Sequence, residues 1–242
     1  MEINHHLILK LLRNFDEKFQ KNELATILFR KKSEHLFRDK LTYLLIDEIL
    51  QNGQSSKLIP IPEWNSKKWA DNRSGYSNTI DIAILKEKVD ADNYFKHNFI
   101  PSTLIEIKNA SSPFILGFGN KDNIWEFKNG GGLLKDITGM AKLAETHLSI
   151  TNYHAILAVN CPRKPRPEKY RYIVSEDIEF RSLNKMMSHY KEEKYTKVIE
   201  DVMRKLSETA QKMNAKDISF ITITGGKAFE NEIDVLFMLL SF

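Results

Sequence analysis

The sequence predicts an α/β fold, because two kinds of apolar pattern alternate along it. Short, continuous apolar runs at 79–85, 102–108 and 153–159 are typical of buried strands. Between the second and third runs, residues 133–147 carry apolar side chains at helical spacing, which indicates an amphipathic helix. This succession predicts three layers, with a central mixed β-sheet flanked by helices.

The elements before and after these runs extend the pattern. Residues 5–21 are predicted to be a helix, and a second helix is predicted from about residue 33 to Gly53, which ends it. Residues 54–77 contain prolines, tryptophans and glycine, and predict a loop with short strand pieces.

The C-terminal part predicts a long charged helical region over 182–213 and then a β-hairpin. The hairpin strands are predicted at 218–224 and 233–240, with the turn near Gly225-Gly226. Without a repeat or a linker, residues 1–242 are expected to form one domain.

Composition narrows the class of protein. The 242 residues are 42% hydrophobic and 28% charged, which is ordinary for a globular protein. A single cysteine, Cys161, excludes an internal disulfide framework and a multi-cysteine zinc site. The N-terminal residues do not resemble a signal peptide, and the apolar stretches are shorter than a membrane helix requires. A cytoplasmic protein is therefore expected.

Three charged residues interrupt the predicted strands. Asp81 lies in the first apolar run, and Glu106 and Lys108 lie in the second. Because side chains alternate along a strand, Glu106 and Lys108 share a face, roughly 6.5 Å apart. Burying an unpaired carboxylate is costly, so such groups are usually paired or metal-bound. Together the three predict a hard-cation site with a lysine beside it, which suits phosphodiester cleavage.

The Glu-x-Lys spacing by itself is common in this chain. It also occurs at 126–128 and at 192–194. The second of these lies in a solvated helical pattern, and the first lies beside a triple glycine without apolar flanks. Residues 106–108 are therefore the favoured site.

With Asp81 on the preceding strand, the order of helix, strands, helix and strand resembles the PD-(D/E)XK phosphodiesterase superfamily over residues 33–160. The resemblance implies a restriction-endonuclease-like core in which Asp81 and Glu106 bind Mg²⁺ together with the main chain of Ile107. It implies that Lys108 contacts the attacking water or the reacting phosphate. The residue before Asp81 is isoleucine where the family pattern has proline.

The resemblance also implies a further glutamate from the helix before the Asp81 strand. Glu34 is the preferred candidate for this catalytic role, ahead of Glu48. The expected function is a Mg²⁺-dependent endonuclease, with Mn²⁺ as a substitute, acting on double-stranded DNA as a homodimeric restriction-type enzyme. Another nuclease of the same fold (a defence or toxin nuclease, a resolvase or an RNase) and an inactive nucleic-acid-binding protein remain alternatives.

A basic loop follows the third apolar run. It combines cations with tyrosines and prolines, a composition that suits contact with a nucleic-acid backbone. The predicted DNA-binding residues are Arg163, Lys164, Arg166, Lys169 and Arg171.

Asp136 opens the helix that follows the glycine run 130–132. An acidic residue in a first helical turn is stabilised by the helix dipole. This structural role is favoured for Asp136 over a role in the site.

Overall fold

The computed structural model describes residues 2–28, 34–53, 57–65, 79–87, 99–119, 131–170, 177–191 and 195–242. Its α-helices are α1 His5–Arg13, α2 Glu23–Leu28, α3 Glu34–Gln51, α4 Ser112–Ile115, α5 Gly131–Thr146, α6 Asp177–Tyr190 and α7 Tyr195–Lys212. Single 3₁₀ turns lie at Asp16–Lys18 and Glu168–Tyr170. Within the described residues, no helix combines the length and apolar character needed to cross a membrane.

The described strands form one six-stranded sheet. They are β1 Leu58–Asn65, β2 Thr79–Glu87, β3 Phe99–Ser111, β4 Asn152–Pro162, β5 Asp217–Ala228 and β6 Asn231–Ser241. The spatial order is β1-β2-β3-β4-β6-β5, and only the β3–β4 pair is parallel. Helix α5 lies between β3 and β4 in the chain, as a parallel connection requires. The predicted α/β fold with a mixed sheet flanked by helices is confirmed.

A separate hydrophobic core lies on each face of the sheet. One core joins the sheet to α1, α2 and α3, and the other joins it to α4, α5, α6 and α7. Strand β3 contributes to both, because Ile105 and Ile107 enter the first core and Leu104 enters the second. This alternation places Glu106 and Lys108 on the same side as Leu104, facing the layer that contains α5.

Two predicted helices are shorter than expected. The segment 5–21 stops being α-helical at Arg13, because Phe15 turns inward and packs against Phe37 and Phe237, with ring centroids 5.6 and 5.4 Å away. The region 182–213 contains two helices, α6 and α7, and Lys191 after α6 has a positive φ of 58°. Such a left-handed residue ends a helix.

The C-terminal hairpin is confirmed, but its predicted turn is wrong. Phe229 and Glu230 form the turn, with φ angles of 49° and 62°. Gly226 instead lies at a register shift inside β5, with a φ of 98°. A Cβ atom there would lie 3.1 Å from the Cα of Asn22, the residue just before α2. Glycine at this position therefore allows the backbone of Asn22 to approach β5 closely.

The two-core architecture predicts very different costs for two leucine truncations. Leu45 on α3 is 0% exposed, whereas Leu148 is 92% exposed. Leu45→Ala should lower the free energy of unfolding by about 2–5 kcal/mol because it leaves a cavity. Leu148→Ala should change it by less than about 0.5 kcal/mol. Urea denaturation of both variants measures the difference, and equal stability of the two would contradict the assigned core.

Candidate active site at a fork in the sheet

The pairing between β2 and β3 stops part of the way along both strands. Its last pair is Ile82 with Ile105. Beyond it, β2 continues against β1 as far as Thr79, and β3 continues against β4 as far as Ser111. The two strands therefore separate at this point, which we call the strand fork. One further step in register would set Asp81 opposite Glu106.

Carboxylates take the place of backbone carbonyls at the strand fork. The amide of Ile107 donates a hydrogen bond of 2.8 Å to Asp81 Oδ2, and the amide of Asp81 lies 3.4 Å from Glu106 Oε2. Backbone N–H groups released from a ladder need acceptors when they are buried. Asp81 and Glu106 supply them, so both carboxylates are fixed in position by the backbone of the other strand.

The strand on the other side of Asp81 is also distorted. Glu63 in β1 would continue the β1–β2 register opposite Asp81, but it has a φ of 50°, in the left-handed region. Its carboxylate accepts a 2.5 Å hydrogen bond from Arg38 Nη1 on α3. A non-glycine residue in this conformation costs on the order of 1 kcal/mol, and such residues cluster at functional sites.

Lys108 is held between two carboxylates. Its Nζ atom lies 2.9 Å from Glu106 Oε1 and 3.0 Å from Asp136 Oδ2. The Glu106 side chain is 5% exposed, and those of Asp136 and Lys108 are 13% and 27% exposed. The predicted shared face of Glu106 and Lys108 is therefore observed. Lys108 neutralises part of the buried negative charge, and its side chain remains partly accessible.

The structure brings Glu34 to the strand fork and leaves Glu48 away from it. Glu34 Oε1 accepts a hydrogen bond of 3.1 Å from the amide of Asn109, on the strand that carries Glu106. Glu48, at the other end of α3, forms an ion pair of 3.0 Å with Lys10. Of the two glutamates, only Glu34 contacts β3 near the candidate site within the described residues.

Burial and like charge raise the pKa values of both carboxyl groups at the strand fork. Burial, followed by the neighbouring Asp81 carboxylate, raises the pKa of Glu106 to about 7, against the opposing effect of Lys108. Burial also raises the pKa of Asp81, although the Ile107 amide counteracts it. Burial lowers the pKa of Lys108, but its two carboxylate partners outweigh that effect and raise it. Raised carboxyl pKa values beside a cation are frequent in active sites.

The donor set suits Mg²⁺. The carboxylates of Asp81 and Glu106 are hard oxygen donors, and their mutual repulsion is the kind that a divalent cation relieves. In a strand, one residue's N–H and C=O groups point toward the same edge, so the Ile107 carbonyl faces the strand fork as well. Among the described residues, no group of three or more histidine, cysteine, aspartate or glutamate side chains stands in metal-ligand geometry. Mg²⁺ keeps several waters and commonly takes only one or two carboxylates.

Three cations of the basic loop are paired with carboxylates or buried in the structure, although the sequence alone suggests that they are exposed. Arg163 Nη2 lies 3.0 Å from Asp234 Oδ1, and its Nε donates to the other oxygen of the same carboxylate at 3.1 Å. Lys169 pairs with Glu230 at the hairpin turn. Arg166 is 5% exposed. These three cations therefore have internal contacts or burial that the local charge count does not reveal.

The two remaining predicted DNA-binding residues are Lys164 and Arg171. Lys164 is exposed, and its main chain is fixed by Asn231, whose Oδ1 accepts from the Lys164 amide at 3.1 Å. Arg171 lies outside the described residues, as does the competing Glu-x-Lys segment 126–128.

Two residues at the site were not selected from the sequence. The sequence predicts a helix-dipole role for Asp136, but the structure shows an ion pair between Asp136 and Lys108. Arg38 is a buried cation that positions Glu63 and lowers the pKa of Asp81. The sequence does contain an indication for Arg38. It lies between Phe37 and Leu41, which belong to the buried stripe of the helix, and a charged residue there is expected to have a partner.

Comparison of the chain with protein-family models, with curated proteins and with solved structures gave no match. The candidate site therefore stands on its geometry.

The raised pKa of Glu106 predicts how stability depends on pH. This carboxyl group binds more protons in the folded than in the unfolded chain between pH 4.5 and about 7. Its stabilising contribution is full below pH 4.5 and is lost as the pH rises through about 7. In EDTA, Glu106→Gln should therefore raise the free energy of unfolding at pH 8 by on the order of 1 kcal/mol, and the gain should shrink toward pH 5.

Urea denaturation at both pH values measures this change. Glu208→Gln, on the exposed surface of α7, is the matched control and should leave stability nearly unchanged at either pH. A Glu106→Gln variant that is less stable than the parent at pH 8 would contradict the assigned electrostatics.

Proposed function

We propose that the protein is a Mg²⁺-dependent endonuclease that hydrolyses phosphodiester bonds in double-stranded DNA. The observation that carries this proposal is the meeting of the Asp81 and Glu106 carboxylates at the strand fork, with Lys108 beside them. The resemblance of this residue pattern to the PD-(D/E)XK superfamily supports the same reaction. A restriction-type role is the preferred biological setting.

Asp81, Glu106 and the Ile107 carbonyl would hold the metal ion. When bound, Mg²⁺ supplies polarisation of a phosphoryl oxygen and lowers the pKa of a coordinated water. The protein's own contribution is to hold two negative groups close together before the ion arrives. The backbone amides of Asp81 and Ile107 do this by fixing one oxygen of each carboxylate.

Lys108 is the residue that acts on the phosphate. Its Nζ atom is a strong donor that stays protonated, because its carboxylate partners raise its pKa. It orients the attacking water or stabilises charge on a non-bridging phosphate oxygen. Asp136 and Glu106 restrict the lysine side chain, so little rotational freedom is lost when it meets the substrate.

DNA contact near the basic loop would use its exposed lysines. Lys164 is exposed, and the Lys169–Glu230 pair lies at the surface, where exchanging a carboxylate for a phosphate costs little. Arg163, in contrast, has a bidentate carboxylate partner and is assigned a structural role.

Substitutions at the strand fork test the catalytic assignment. Asp81→Asn, Glu106→Gln and Lys108→Ala should each reduce Mg²⁺-dependent cleavage of plasmid DNA by at least about 100-fold, since each removes a charge that the transition state needs. Circular dichroism should remain that of the parent. Cleavage at the parental rate by any of the three would remove that residue from the site.

The two glutamates of α3 form a matched pair for the same assay. Glu34→Gln should slow cleavage, because Glu34 contacts β3 beside the site, whereas Glu48→Gln should leave the rate unchanged. Equal effects of the two variants would contradict a special role for Glu34.

The products of the assay identify the substrate. Discrete DNA fragments that disappear in EDTA indicate a sequence-specific endonuclease, and a smear indicates a general nuclease. Intact DNA with degraded RNA indicates an RNase. Retarded but uncut nucleic acid of either kind indicates a binding protein without catalysis and rejects the proposed reaction.

Metal binding has a readout that does not depend on cleavage. At pH 8, millimolar Mg²⁺ should raise the thermal midpoint of the parent protein, because it binds the folded form. Asp81→Asn should abolish this increase, and Glu208→Gln should preserve it. An equal increase in all three proteins would place the ion elsewhere.

A further inference from the structure

Helix α3 has an apolar stripe on its outer face. Leu36, Tyr43 and Leu50 are 41%, 68% and 56% exposed, although all three are large hydrophobic residues. They recur every seven residues, so they lie almost in line along the helix. Single exposed hydrophobic residues are ordinary, but a line of three on one helix marks a contact surface.

The opposite face of α3 is already buried. Phe37, Leu41, Leu45 and Ile49 enter the core between this helix and the sheet. Apolar residues therefore surround α3 on both sides, whereas α7 buries one stripe and exposes charged residues on the other. The three large side chains on the outer face are therefore additional to the stripe that anchors α3 to the core.

Two charged residues complete the exposed stripe. Lys40 and Asp47 lie between the apolar positions, so the spacing from Leu36 to Leu50 alternates between four and three residues. This alternation is the pattern of a helix-pairing seam. We call the seam of Leu36, Lys40, Tyr43, Asp47 and Leu50 the α3 seam.

The α3 seam is complementary to itself in the antiparallel direction. When two copies are related by a two-fold axis at Tyr43, Leu36 of each lies opposite Leu50 of the other. Lys40 is three residues from the axis on one side, and Asp47 is four residues from it on the other, so the two meet across the seam with an offset of about 1.5 Å. Isologous interfaces have this symmetry.

We propose that the protein forms a two-fold symmetric homodimer in which the α3 helices of two copies pair antiparallel through the α3 seam. A second copy is the occupant because Lys40 of each copy would lie beside Asp47 of the other copy, so that the opposite charges pair. Lys40 now donates to the Lys18 carbonyl and lies over the Phe19 ring, 4.9 Å from its centroid, and Lys18 lies 4.0 Å from Asp47. The bond to the carbonyl and the pair with Lys18 are exposed, so exchanging them for contacts with a second copy costs little. The proposal is independent of the proposed nuclease activity.

Charge exchange tests the pairing by sedimentation velocity. The parent protein should sediment as a dimer, and Lys40→Asp and Asp47→Lys should each weaken association by at least about tenfold, because like charges then face each other. The double variant Lys40→Asp/Asp47→Lys should restore the dimer. An equimolar mixture of the two single variants should form a heterodimer, since opposite charges face each other again.

Glu208→Lys on α7 is the control and should leave the dimer intact. A parent protein that is monomeric at concentrations of several hundred micromolar would overturn the proposal. So would a dimer whose association is unaffected by charge reversal at Lys40 and Asp47. All these readouts report mass, so a failure of the dimer is distinct from a failure of cleavage.

Cysteine cross-linking tests the direction of the helices. Tyr43→Cys lies at the proposed axis and should form a covalent dimer under mild oxidation, whereas the parent cannot contribute because Cys161 is buried. Leu36→Cys should remain monomeric under denaturing conditions when oxidised alone and should cross-link when mixed with Leu50→Cys. Cross-linking of Leu36→Cys to itself would indicate parallel helices and overturn the antiparallel arrangement.

Discussion

The end of the β2–β3 ladder at Ile82 and Ile105 is the constraint on which the candidate site depends. Once the strands separate, their inner amides lose carbonyl partners, and the carboxylates of Asp81 and Glu106 replace them. Because these bonds cross from one strand to the other, they bring two negative charges together that would otherwise repel each other. The same separation leaves the edge of β3 at Ile107 and Asn109 without β2 as a partner, and the Asn109 amide donates to Glu34 instead.

Such a site is costly for the folded protein. Glu106 is buried with a pKa of about 7, and Glu63 opposite Asp81 has a left-handed backbone. Sites of this kind persist when the surrounding structure stabilises them, and here the sheet has a hydrophobic core on each face. Lys108 offsets part of the charge. The folded protein is therefore less stable than it would be without these groups, but it holds charged side chains in fixed positions. The proposed phosphodiester hydrolysis requires such fixed charges.

Helix α3 connects the site to the rest of the molecule. Its first turns carry Glu34 and Arg38, which reach β3 and β1, and its inner face anchors these turns to the core. In the proposed dimer its outer face pairs with a second copy. The Glu34 residue of each copy would then lie at an opposite end of the helix pair, about 27 Å apart along its axis. One helix would thus set both the local geometry of each site and the spacing between two sites.

Local sequence patterns determined the strands of the core, most of the helices and the shared face of Glu106 and Lys108, because side-chain periodicity is a property of neighbouring residues. They did not determine which distant groups meet. The ion pair of Asp136 with Lys108, the choice of Glu34 over Glu48, and the bidentate bond from Arg163 to Asp234 depend on packing between elements far apart in the chain. The local sequence predicts a turn at Gly226, but the reason for this glycine is the close approach of Asn22, which is more than 200 residues away in the chain. Periodicity fixes which way a side chain faces, and only the tertiary structure decides what it faces.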